Sequence, residues 1–138
     1  MPATSITHLY PTLIYRAANA APETLTRELE RLILGFAEGD AAGRRWCARH
    51  GYAGYTSYGS MHDPHERFVP FRRLKATVER HARKFVKALH WDLRGTKPLV
   101  DSLWVNVLPP GGSHTSHLHT NAVLSGTYYV KASGSGPL

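Results

Sequence analysis

The chain has 138 residues, 42% of them apolar, which suits one domain with its own core and excludes two full domains or a disordered polymer. A formal net charge of +7 favours anionic partners without naming one. The single cysteine, Cys47, excludes an internal disulfide, and no apolar run is long enough to cross a bilayer.

In chain order, Leu9 to Ala17 is rich in strand formers and reads as a first strand, with Pro11 near its start. Pro22 and Glu23 then open a helix, since proline suits its first position and an acid complements its positive end. Leu25, Leu29, Leu32, Ile33 and Phe36 follow at helical spacing, and Gly39 marks the stop. Asp40 to His65 has no helical period and reads as loop, with a short strand around Tyr55 to Gly59. Tyr52, Tyr55 and Tyr58 recur every three residues there, either as aromatic packing under the loop or as the wall of a site.

Phe68 to Leu89 is the clearest helix, with Phe71, Leu74, Val78, Ala82, Phe85 and Leu89 as its apolar face. Its basic residues, Arg72 to Lys87, fall mostly outside that stripe and read as a solvated face. Leu99 to Leu108 is a strand whose Trp104 and Asn106 face one way and Leu103, Val105 and Val107 the other. Pro109 to Gly112 forces a turn. His114, His117 and His119 follow, and Val123 to Val130 reads as a further strand. Residues 1–138 are read as one domain with 132–138 as a flexible tail.

The three histidines carry the chemistry. Imidazole is the commonest protein ligand for first-row metals. On an extended strand, His117 and His119 point to one side and can share an ion, with Leu118 turned into apolar packing. His114 lies an odd number of residues away, so a regular strand turns it to the opposite face, as a rim group.

The run Trp104-Val105-Asn106, then Pro-Gly-Gly, His117-Leu118-His119 and Leu124-Ser125-Gly126-Thr127-Tyr128-Tyr129-Val130 resembles bacterial 2-oxoglutarate- and Fe(II)-dependent oxygenases. The resemblance is to an uncharacterised branch carrying an H-x-H…LSGxYYV signature. It implies an α+β fold: a partial double-stranded β-helix, or jelly roll, with two helices of the N-terminal half packed on the sheet. It implies Fe(II) and 2-oxoglutarate as cofactors and a hydroxylase-type dioxygenase, which couples decarboxylation of 2-oxoglutarate to oxidation of a substrate C–H bond. His117 and His119 are then metal ligands, with Trp104, Asn106, His114, Asn121 and Tyr128 lining the pocket. Tyr128 or Tyr129 would either contact the co-substrate or pack in the barrel.

Two departures stand out. His119 occupies the place of the family's acidic ligand, and an all-nitrogen set binds Zn(II), Ni(II) or Cu(II) as well as Fe(II). The family's distal histidine and its basic 2-oxoglutarate-binding residue would come from strands beyond Leu138. The expectation is therefore a C-terminally truncated chain, inactive as it stands, with an open sheet edge through which it could homodimerise. Residues 1–10 lack the pattern of a secretory leader, so the expected compartment is cytoplasmic, with no membrane partner. The substrate would be a small molecule or a protein side chain. Two alternatives stay open: a cupin-like metal-binding protein that does not use 2-oxoglutarate, and a basic module that binds nucleic acid through the 68–89 helix, although no DNA- or RNA-binding motif supports the latter and nucleic acid is not an expected partner.

Overall fold

A computed structural model describes residues 10–18 and 20–132. Those residues form four helices and one two-stranded antiparallel sheet. The elements are α1 (Glu23–Gly39), α2 (Ala41–Arg49), β1 (Tyr55–Thr56), α3 (Pro64–Arg67), α4 (Val69–Ala88) and β2 (Asn106–Val107).

The apolar stripe of α1 is buried as its spacing requires: Leu25 and Leu29 are fully enclosed, with Leu32, Ile33 and Phe36 packed around them. Helix α4 answers with Phe71 and Leu74, and Phe36 stacks on Phe71 with ring centroids 5.8 Å apart. Tyr55 from β1 and Val105 beside β2 close the same core, so the two long helices pack on the small sheet. Burying a side chain of this size stabilises the fold by roughly 1.5–3 kcal/mol.

Asp40 joins α1 to α2. Its N–H donates to the Phe36 carbonyl (2.8 Å), while its carboxylate accepts the Gly43 N–H (2.9 Å) and so caps α2. The same carboxylate accepts from the Tyr55 hydroxyl (2.9 Å) and from Ser60. Burial works to raise its pKa, but the bonds from Gly43, Ser60 and Tyr55 hold it below the usual carboxylate value. Burial, then Asp40, push the Tyr55 phenol well up. A Cβ at Gly43 would strike Asp40, Ser60 and the Tyr55 ring, so only glycine lets this knot close. Cys47 is buried on α2 and accepts the Thr56 N–H of β1 through its sulfur (3.3 Å).

The sheet pairs Tyr55 with Val107 and Thr56 with Asn106. The Ser57 N–H donates to the Val105 carbonyl (3.0 Å) and the Leu103 N–H to the His62 carbonyl (2.9 Å), which holds 103–107 along the loop after β1. Gly54 sits at φ +146°, and a side chain there would collide with the Val107 carbonyl.

Three expectations change. Ala41–Arg49 is helix rather than loop. It buries only Gly43 and Cys47, so its sequence carries almost no apolar stripe, and the Asp40 cap was its one local signal. The strands expected at 9–17 and 123–130, and the strand carrying the histidines, form no ladder over 10–17, 113–119 or 123–130; Leu9 lies outside the described residues. Of the 99–108 strand, only Asn106 and Val107 are paired. A strand exists only when a partner supplies its hydrogen bonds, and no described segment lies alongside these stretches in register. Of the expected tail, residues 133–138 lie outside the described residues. No described helix is long and apolar enough to cross a membrane.

Candidate metal centre

The turn at Pro109–Gly112, closed by the Gly112 N–H on the Pro109 carbonyl (2.9 Å), carries the chain away from β2 into the histidine segment. Gly111 takes φ +78° there, a conformation glycine adopts without strain. The segment that follows is irregular, yet it gathers its imidazoles. His117 Nε2 and His119 Nε2 lie 2.9 Å apart. The His114 ring meets His117 edge-on with centroids 4.6 Å apart. His114 is therefore on the same side as the other two, not the opposite one, because the backbone between them is not a regular strand. Leu118 is 90% exposed, not packed.

Proton positions follow from the partners. His117 Nδ1 faces the Thr115 carbonyl at 2.9 Å. A carbonyl only accepts, so Nδ1 carries the proton and Nε2 of the neutral ring presents its lone pair. His119 Nε2 must then donate to His117 Nε2 when no cation lies between them. The Tyr52 hydroxyl donates to Asn106 Oδ1 (3.3 Å) and accepts from His114 Nδ1 (2.8 Å), which leaves His114 Nε2 free as well. Burial, then His117 and His119, push His114 below the ordinary histidine pKa, which favours its neutral form.

Aromatic rings back this group. Trp104 stacks on His119 (centroids 5.7 Å, planes at 21°), and Tyr58 meets Trp104 edge-on at 5.3 Å. Trp46 meets Tyr58 in turn at 5.8 Å. Of the tyrosine repeat, Tyr52 thus touches His114 and Tyr58 touches Trp104, whereas Tyr55 belongs to the core. Tyr52 and Thr115 were missing from the sequence-derived site. The tyrosine repeat pointed at the first; nothing in the sequence pointed at the second, whose contribution is a backbone carbonyl.

Of the remaining sequence-derived residues, Asn121 turns the chain after His119 at φ +69° and is exposed, with no side-chain hydrogen bond to another described residue. Tyr128 packs against the core, its hydroxyl 2.8 Å from Thr26 Oγ1 of α1. It lines an open groove of about 880 Å³ with Ala21, Glu23 and Thr26, which includes none of the three histidines.

The donor set fits a first-row cation. Two nitrogens bound at about 2.1 Å and at right angles stand about 3.0 Å apart, and the His117–His119 separation is 2.9 Å. For both to bind, His119 must carry its proton on Nδ1. Among the described residues, no group of three His, Cys, Asp or Glu is arranged to hold an ion, and the two imidazoles of His117 and His119 are what these residues offer.

Residues 102–136 match the family model described as putative 2OG-Fe(II) oxygenase. The oxygenase match covers about a quarter of the chain and contains Trp104, Asn106, the three histidines, Asn121 and Tyr128. It supports the resemblance read from the histidine block. No curated protein matches the chain.

Proposed function

We propose that this chain carries the metal-binding segment of a 2-oxoglutarate- and Fe(II)-dependent oxygenase, with His117 and His119 as two of its ligands. What supports this reading most is the convergence of two Nε2 atoms at 2.9 Å inside the segment that matches the oxygenases. When bound, Fe(II) with 2-oxoglutarate as reductant would activate dioxygen, the oxidant for attack on a substrate C–H bond. The residues of the chain hold and orient. Thr115 fixes the tautomer of His117, Trp104 braces His119, and Tyr52 ties His114 to Asn106. His119 in the place of a carboxylate makes the site more cationic, which weakens its hold on a divalent ion and favours an anionic co-substrate. A jelly roll in the whole protein belongs to this proposal, as does a small-molecule or protein side-chain substrate.

The test is anaerobic titration of the purified chain with Fe(II), read by metal analysis after desalting. One ion per chain is expected, lost in His117→Ala with the far-UV circular dichroism spectrum unchanged. Unchanged stoichiometry in that variant defeats the assignment. Iron-dependent formation of succinate from 2-oxoglutarate separates the oxygenase from a cupin-like metal protein.

A further inference from the structure

Helix α4 presents a solvent face made almost wholly of cations. Arg72, Arg73, Arg80, Arg83, Lys84 and Lys87 are all exposed and share one side of the helix over about 22 Å. Between Arg72 and Lys87 the apolar member of this side is Ala76, and no acid lies on it. Glu79, the helix's closest acid, is half-buried and turned away, accepting the Val100 N–H at 3.2 Å.

Towards the N-terminal end, neighbours absorb the charge: Arg73 pairs with Glu28 (3.0 Å) and Arg72 reaches the Glu66 carbonyl. Arg80, Arg83, Lys84 and Lys87 form no ion pair among the described residues. They stand at i, i+3, i+4 and i+7, the spacing at which like charges on a helix repel. The positive potential also reaches His81, which burial first, and then Lys84 and Arg80, push below the ordinary histidine pKa.

We propose that the outer face of α4 docks on the phosphate backbone of a nucleic acid, through Arg80, Arg83, Lys84 and Lys87. A row of cations about 5–6 Å apart suits a polymer with regularly repeated anions, and each arginine fork fits a phosphate. A lipid surface fits less well. The apolar side of α4 is spent in the core on Phe71 and Leu74. Between Arg72 and Lys87 the cationic face offers no large apolar side chain to insert, the exposed Val69 standing at the far N-terminal end of the helix from Arg80 to Lys87. This surface stands independently of the histidine centre.

The experiment measures binding of the full chain to a fluorescent 20-base-pair DNA duplex and a single strand of equal length, across a salt series. Four phosphates neutralised give a slope of about −3.6 in log affinity against log salt for the duplex and about −2.8 for the single strand. Duplex affinity then falls about 150-fold between about 50 and 200 mM salt. The variant R80Q/R83Q/K84Q/K87Q changes exposed residues only and should lose at least about tenfold at low salt and most of the slope. A second variant, R16Q/R31Q/R45Q/R49Q, removes the same charge elsewhere and should keep the wild-type slope. Equal loss in both variants overturns the proposal. So does absence of binding to either probe at low salt, or α4-dependent binding to phosphatidylserine vesicles without binding to DNA.

Discussion

Residues 23–107 and residues 108–132 are held by different physics. The first stretch contains every described helix and both strands, and its centre is closed by Leu25, Leu29, Phe71 and Leu74. The second has no hydrogen-bonded element, and its histidines are exposed. It is held by side chains: Tyr128 on Thr26, Lys131 on Glu30 (2.9 Å), and the ring contacts around His119. A core resists change at one residue because removed atoms leave a cavity. A surface segment tied by a few polar contacts yields one contact at a time.

Substitutions should reproduce that contrast. Phe71→Ala strikes the centre of the first region and should destabilise the protein by about 3–5 kcal/mol in urea unfolding. A loss under 1 kcal/mol would show that α1 and α4 do not share a rigid core. Acid should weaken the same region next. His65 is almost fully buried, its Nδ1 has no partner among the described residues, and burial, then Lys75, lower its pKa. The unfolded chain therefore takes up this proton first. Stability should be full above about pH 6.5 and fall as pH drops from there towards the depressed folded value. His65→Leu should flatten part of that fall, and an unchanged pH profile in the variant would remove His65 as a source of it.

The second region should respond less. Tyr128→Phe deletes the hydroxyl that meets Thr26 and should cost about 1 kcal/mol. Loss of amide exchange protection should be confined to the contact with α1; no change at all would mean that 123–130 is not docked there. Leu118→Ala, at 90% exposure, should stay within about 0.5 kcal/mol. A larger loss would signal that Leu118 is covered in solution.

The same contrast explains what could be read in advance. The long helices were legible because their pattern is local: Leu25 to Phe36 and Phe71 to Leu89 each declare a face within one segment. Helix α2 was hidden, since a nine-residue helix that buries only Gly43 and Cys47 has no face to declare. The strands at 10–17 and 123–130 were misread for the opposite reason. Their composition is strand-like, but pairing depends on a distant partner that composition does not reveal. At the candidate centre, the i, i+2 spacing brought out His117 and His119; alternation along 103–107 put Trp104 and Asn106 on one face, and only the family resemblance set that face beside the histidines. Strand alternation failed for His114, because the Gly-rich turn releases the backbone from the two-residue period. Thr115 could not be foreseen, since any residue brings a carbonyl.

The seam between α2 and β1 has a practical consequence. The chain's one thiol is enclosed there, its sulfur occupied by the Thr56 amide. An alkylating reagent reaches it only when the seam parts, so the labelling rate gauges how often that joint opens, and no reporter has to be installed.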